Sequence, residues 1–306
     1  MRDIKRRKES VTSTQQITKA MKLVATVKLQ KARGKAESNK PYFDTLYKTI
    51  CSVLARTKNV DHKYIKENDC KKKAIIAITS NRGLAGGYNS NIIKMITSGE
   101  AATFPKEDTY VYAVGKKGID ALNRKGFSIH KDYSEVINAP LYSDAMEMSK
   151  ELLTQFSKGE IGEIYLAYTN FKNTVTQEPK LIKLLPINPD DFEIGEDVDE
   201  RVHMNFEAGQ SNPAGFAALG FDLGATEEEE EAVLNDIIPK YMNSIIYGAF
   251  LEAVASENGA RMQAMDSATS NAEDMISDLS LKYNRARQGA ITQELTEIIA
   301  GSEAIS

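Results

Sequence analysis

Apolar residues recur through residues 3–56 at Ile4, Val11, Ile17, Met21, Val24, Val27, Leu46, Ile50, Val53 and Leu54. Spacings of three, four and seven predict one long helix with these residues on a single stripe. Pro41 interrupts the stripe, but the period resumes at once in PYFDTLYKTICSVLA. A helix kinked at the proline, rather than ended by it, is expected. The polar, lysine-rich segment 57–72 reads as a linker.

After that segment the texture changes to short, continuous apolar runs. KKAIIAITS (72–80), TYVYAVG (109–115), FSIHKDY, EIYLAYTNF and EPKLIKLLPI read as strands, the last stopped by prolines. Between them NIIKMITSG, KKGIDALNRKG and SDAMEMSKELLTQFSKG (143–159) read as helices. Ser143 is the N-cap candidate of the third and Gly159 its stop. Strands alternating with helices predict a parallel or mixed sheet with covering helices, a Rossmann-like α/β domain over 72–188.

Residues 189–235 are acidic, then rich in Gly, Ala and Asn, and read as a linker or insertion. A second helical texture fills 236–306. Its seam is Leu251, Ala255, Asn258, Met262, Met265, Thr269, Ala272, Ile276, Leu279, Tyr283, Ala286 and Ala290. The alternating steps of four and three are coiled-coil spacing. Small and polar seam residues allow close approach but bury little area. At 1.5 Å per residue each of the two helices, 1–56 and 236–306, would span roughly 80 Å or more. Neither fits inside a compact domain. The predicted fold class is therefore α/β plus a long antiparallel coiled coil, the N- and C-terminal helices pairing as a stalk.

Composition narrows the function classes. The chain has 306 residues and a formal net charge of −4. No apolar run approaches the ~18 residues that cross a bilayer. The N-terminal MRDIKRRKES has no apolar region behind it, so neither a secretory signal nor an organellar transit peptide is expected. Cys51 and Cys70 form no CxxC and read as reduced thiols. Charge is uneven along the chain. Residues 2–35 hold many lysines and arginines against two acids, Asp3 and Glu9, whereas 190–231 is acidic with one Arg201.

The stretch ITSNRGLAGGYNSN could cradle a phosphate on backbone N–H groups between a strand and a helix. It contains neither a P-loop nor a GxGxxG pattern, and a glycine-dependent turn explains it as well. His62, His130 and His203 stand apart from any nucleophile and read as surface histidines. No catalytic, cofactor-binding or metal site is expected. The basic helix lacks a nucleic-acid motif and has no aromatic residue before Tyr42. Its apolar face carries Met, Val and Ala rather than the bulky residues of a membrane-surface helix. Such a helix suits a partner helix on one side and an acidic protein surface on the other.

Three segments, ITKAMKLVATVKLQKAR, ITSNRGLAGGYN and ASENGARMQAMDSATSNA with YNRARQGAITQELTEII, resemble the gamma subunit of F-type ATP synthase. The resemblance covers nearly the whole chain. It is weakest over 189–235, which reads as longer than the family pattern. The resemblance implies a non-catalytic central-stalk rotor that transmits c-ring rotation to the alpha and beta ring, coupling ion flow to ATP synthesis or hydrolysis. It implies alpha, beta, epsilon and c-ring partners, no cofactor, no nucleic acid, and a peripheral place on the cytoplasmic side of a bacterial cell membrane, through the complex alone. Carried over residue by residue, it implies beta contacts at Met21, Lys22, Arg82, Glu257, Arg261, Gln288 and Thr292. The alternative from the residues alone is a nucleotide-binding α/β protein with helical arms.

Overall fold

A computed structural model describes residues 1–56, 62–188 and 227–303. The helices are α1 (Arg2–Arg56), α2 (Tyr88–Ser98), α3 (Lys116–Arg124), α4 (Tyr142–Ser157) and α5 (Glu227–Glu303). The strands are β1 (Lys73–Ile78), β2 (Thr109–Val114), β3 (Ser128–Asp132), β4 (Glu163–Phe171) and β5 (Gln177–Leu185). The chain divides into two compact units, one of residues 1–26 and 261–306, the other of 27–260. Both α1 and α5 contribute to each.

In the larger unit the strands form one sheet in the order β3-β2-β1-β4-β5. All neighbours are parallel except β4 and β5, which form an antiparallel hairpin. Asn173 shapes the hairpin turn, its Oδ1 accepting the N–H groups of Val175 (2.9 Å) and Thr176 (2.8 Å). Strand β1 is covered on both faces, which is why KAIIAI is continuously apolar rather than alternating. Successive residues still point to opposite faces. Ile76 and Ile78 join Tyr112, Leu166 and Tyr168 in one core with Met148, Leu152 and Phe156 of α4. The same core takes Phe43, Ile50 and Leu54 of α1 and Ile238, Met242, Ile246 and Phe250 of α5. On the opposite face Ile75, Ala77 and Val111 meet Ile92 and Ile96 of α2 and Leu122 of α3.

Helix α1 continues through Pro41 as expected, and Thr45 Oγ1 donates to the Pro41 carbonyl at 2.8 Å. Several other expectations change. Helix α4 starts at Tyr142, so Ser143 lies inside its first turn and is not the N-cap. Leu141 takes that position, and its N–H donates to Asp144 Oδ2 at 2.9 Å. Gly159 does stop the helix. It has φ +70°, its N–H donates to Phe156 O at 3.0 Å, and that of Glu160 reaches Gln155 O at 3.0 Å.

Residues 62–72 are more than a linker. Tyr64 is buried in the core, and its carbonyl accepts the Ile187 N–H at 2.9 Å. Asn68 Nδ2 donates to Ile161 O at 2.9 Å. His62 is fully buried, contrary to the surface reading, and burial holds its imidazole below the ordinary value. Its Nδ1 accepts the Tyr64 N–H at 3.3 Å. His130 is exposed and stacks on Tyr110, while His203 lies outside the described residues.

Helix α5 begins at Glu227, earlier than the expected 236. The Glu227–Glu231 run suits a helix start, since glutamate is a good helix former and an acid is favoured at the positive end of the macrodipole. The rest of the acidic segment, 189–226, lies outside the described residues.

Candidate functional site

The smaller unit is a helix pair. Gln15 Nε2 donates to Glu273 Oε1 at 3.0 Å, the Thr18 and Thr269 hydroxyls lie 2.7 Å apart, and Lys22 Nζ donates to Asp266 Oδ1 at 2.6 Å. Residue numbers rise on α1 as they fall on α5, so the two helices run antiparallel. On α5 the predicted seam holds throughout this unit. Met265, Ala272 and Leu279 are buried, and Met262, Thr269, Ile276, Tyr283, Ala286 and Ala290 are half-buried.

On α1 the inner stripe differs from the expected one. It runs Ile4, Lys8, Val11, Gln15, Thr18, Lys22 and Ala25, again in steps of four and three. Ile17 and Val24, expected on the stripe, are each 57% exposed, and Val27 in the larger unit is 63% exposed. The inner positions went to threonine, glutamine and alanine because facing positions on α5 are themselves small or polar. The side chain of Val53 lies outside those described.

Small side chains and a polar ladder hold this pair lightly. Each neutral hydrogen bond contributes about 1 kcal/mol net. The Lys22 and Asp266 side chains are 39% and 62% exposed, so their ion pair contributes at most about 1 kcal/mol. The start of α1 is strongly basic, whereas α5 exposes both signs, with Glu273, Asp274, Asp278, Glu294 and Glu297 among its acids. Arg2, Lys5, Arg6, Arg7 and Lys19 of α1 and Arg285 and Arg287 of α5 are all exposed. The basic start of α1 attracts an acidic surface over distance without a fixed register.

The glycine-rich turn after β1 is a closed polar network. Asn89 Oδ1 accepts the Ser80 N–H at 2.9 Å, and Ser80 Oγ donates to Arg82 O at 2.6 Å. The first N–H groups of α3 are committed as well. Lys116 N donates to Asn81 Oδ1 (2.9 Å), Lys117 N to Ser80 O (3.0 Å) and Gly118 N to Thr79 Oγ1 (2.9 Å). These bonds tie the start of α3 to the turn. Of the glycines in the turn, Gly86 takes a left-handed φ of +54°, and Leu84 shares that region at +63°.

The residues singled out in the sequence fall in both units. Met21, Lys22 and Arg261 are half-buried in the helix pair. Gln288 and Thr292 are exposed on α5, with Thr292 Oγ1 donating to Gln288 O at 2.9 Å. By the register above, Gln288 lies level with the start of α1, so the pair of helices does not bring it near Lys22. Arg82 is exposed in the glycine-rich turn and Glu257 half-buried on α5, both in the larger unit. Sequence reasoning missed Gln15, Thr18, Asp266 and Glu273. Extending the four-three register through polar residues of α1 would have found the first two.

Comparison with known proteins fits this arrangement. A family model described as ATP synthase matches residues 1–305. The ATP synthase gamma chain of Lachnoclostridium phytofermentans is 60% identical, covering 100% of this chain and 99% of its own. The chain belongs to the ATP synthase gamma family. Gamma chains are the central-stalk subunit of F-type ATP synthase.

A gamma chain of Acetobacterium woodii described as sodium ion specific is 38% identical, over 100% of this chain and 99% of its own. The gamma chain of Alkaliphilus metalliredigens is 40% identical over 305 residues, covering 100% of this chain and 98% of its own. Among solved structures, a chain of the Euglena gracilis mitochondrial ATP synthase has a TM-score of 0.62 at 18% identity, covering 99% of this chain and 94% of that one. A chain of the Tetrahymena thermophila enzyme's central stalk and c-ring has a TM-score of 0.58 at 24% identity, covering 82% and 99%. Among the described residues no helix is long and apolar enough to cross a membrane. This gamma chain is thus a subunit of a membrane-associated complex without a spanning helix of that kind among its described residues.

Proposed function

We propose that this gamma chain is the non-catalytic rotor of its complex. It carries c-ring rotation to a ring of alpha and beta subunits, with epsilon beside it, and couples ion flow to ATP synthesis or hydrolysis. The observation that carries this reading is the helix pair itself. Its seam is largely small and polar, its α1 end is basic, and residues 291–300 of α5 are all exposed. A shaft that must pass every angle needs attraction without tight binding at any one of them. A basic surface meeting acidic loops supplies that. In this reading α1 and α5 supply the shaft and 72–188 is the globular part. The complex sits on the cytoplasmic side of a bacterial cell membrane, and the chain meets the membrane through its partners.

Met21, Lys22, Arg82, Glu257, Arg261, Gln288 and Thr292 are the proposed beta contacts. Single cysteines placed at Arg82, Glu257 and Thr292, joined to a short cross-linker in the assembled complex, should capture the beta subunit. Capture of alpha alone, or of nothing, at all three positions would remove the assignment.

A further inference from the structure

Glu252 is the one Asp, Glu, Lys or Arg side chain that is buried among the described residues, with none of its surface exposed. It lies on α5 inside the larger unit and faces the end of β4. Asn170 Nδ2 donates to its Oε2 at 3.0 Å, and the Phe171 backbone N–H also acts on the carboxyl. Its Oε1 meets no hydrogen-bond partner among the described residues. One turn later Ser256 Oγ donates to Thr169 O at 3.0 Å. At Gly259 the helix comes so close that a Cβ would lie 3.3 Å from the Phe171 ring and 3.4 Å from Gln177 Nε2. Over two turns, then, α5 is tied to the last three residues of β4 by polar groups, whereas just before, at Ile246, Ala249 and Phe250, it is packed by apolar ones.

A buried carboxylate needs several donors or a close cation. Here β4 offers one amide and one N–H and no charge. From β5, Lys180 acts only through its field. Burial outweighs all three and lifts the carboxyl to about 8. We propose that this contact is a proton-linked latch: Glu252 holds α5 on the end of β4 as the neutral acid, and opening of the contact releases its proton to solvent. Helix α5 is shared by both units. If the chain is a rotor, as proposed above, Glu252 is a positioning residue that keeps the shaft helix from slipping on the sheet that drives it.

The direction in pH follows from linkage. The closed contact binds a proton that the open one, with a solvated carboxyl near 4.5, gives up. Opening is therefore favoured by up to about tenfold per pH unit between those two values, and levels off above the higher one. An apolar or permanently neutral side chain in the same space has no such slope.

Hydrogen exchange by mass spectrometry on the assembled complex tests this. The readout is exchange of segments 165–171 and 248–258 at pH 6, 7 and 8, corrected for the intrinsic pH dependence of amide exchange. In the wild type the corrected exchange should rise several-fold or more per unit. In Glu252→Gln, and in Glu252→Met if the first does not assemble, it should be flat. A wild type that is flat, or variants with the wild-type slope, would overturn the latch. Failure of the rotor reading would appear separately, as a chain that does not purify with alpha and beta subunits.

Discussion

Replacing Gly115 by alanine should leave little soluble chain. Gly115 follows β2 with φ +103° and ψ +132°, a conformation essentially reserved for glycine. A Cβ built there would fall on the Thr79 carbonyl. Thr79 cannot move aside, because it is fully buried and bonded on several sides. Its N–H donates to Val114 O at 2.7 Å, its hydroxyl to Gly115 O at 3.1 Å, and that hydroxyl accepts the Gly118 N–H at 2.9 Å. The alanine must therefore bring backbone strain and a clash at the point where β1, β2 and α3 meet. The expected loss is roughly 3 kcal/mol or more, a large share of a domain's stability. Gly83→Ala is the control, since that glycine has nothing within 4 Å of its would-be Cβ and no left-handed φ. Equal soluble yield and thermal midpoint for the two variants would contradict this picture.

Phe250→Ala should be nearly as damaging, through packing rather than backbone. Phe250 of α5 is fully buried against the sheet core. Its removal deletes apolar contacts and leaves a cavity that fixed strands cannot collapse to fill. Such changes cost about 3–5 kcal/mol. The matching change on the helix pair, Leu279→Ala, removes a side chain that meets a lightly packed, small-residue seam. It should cost less, because that surface can settle inward. A midpoint for Leu279→Ala as low as that for Phe250→Ala would mean the pair is packed as tightly as the core.

Much of this fold was legible in the sequence, for identifiable reasons. Buried parallel strands write themselves as continuous apolar runs, so β1 and β4 stand out in KAIIAI and EIYLAYTNF. The α5 seam was readable because its four-three spacing survives small and polar substitutions. On α1 the same spacing was hidden. Ile17 and Val24 are apolar yet face outward, and Gln15, Thr18 and Lys22 are polar yet face α5. Hydrophobicity and inwardness part company wherever the facing helix is itself polar.

Other features depend on residues far apart in the chain. His62 reads as a surface histidine until Tyr64 and its neighbours fold over it. Glu252 reads as one more helical glutamate. It is buried only because Asn170 and Phe171, some 80 positions earlier, end a strand beneath it. The residues proposed to touch beta were legible only through resemblance. Exposure at Arg82 or Thr292 says that a surface is available, not what covers it.

The measurement that tests the rotor account most directly is a mild-detergent pull-down of the tagged chain from its native membranes. Subunits are identified in the recovered material, and ATPase activity is measured on it and on the isolated chain. The account predicts a large complex with alpha, beta and c subunits that hydrolyses ATP, while the chain alone does not. Recovery of the chain by itself from the soluble fraction, or ATP hydrolysis by the isolated chain, would contradict it.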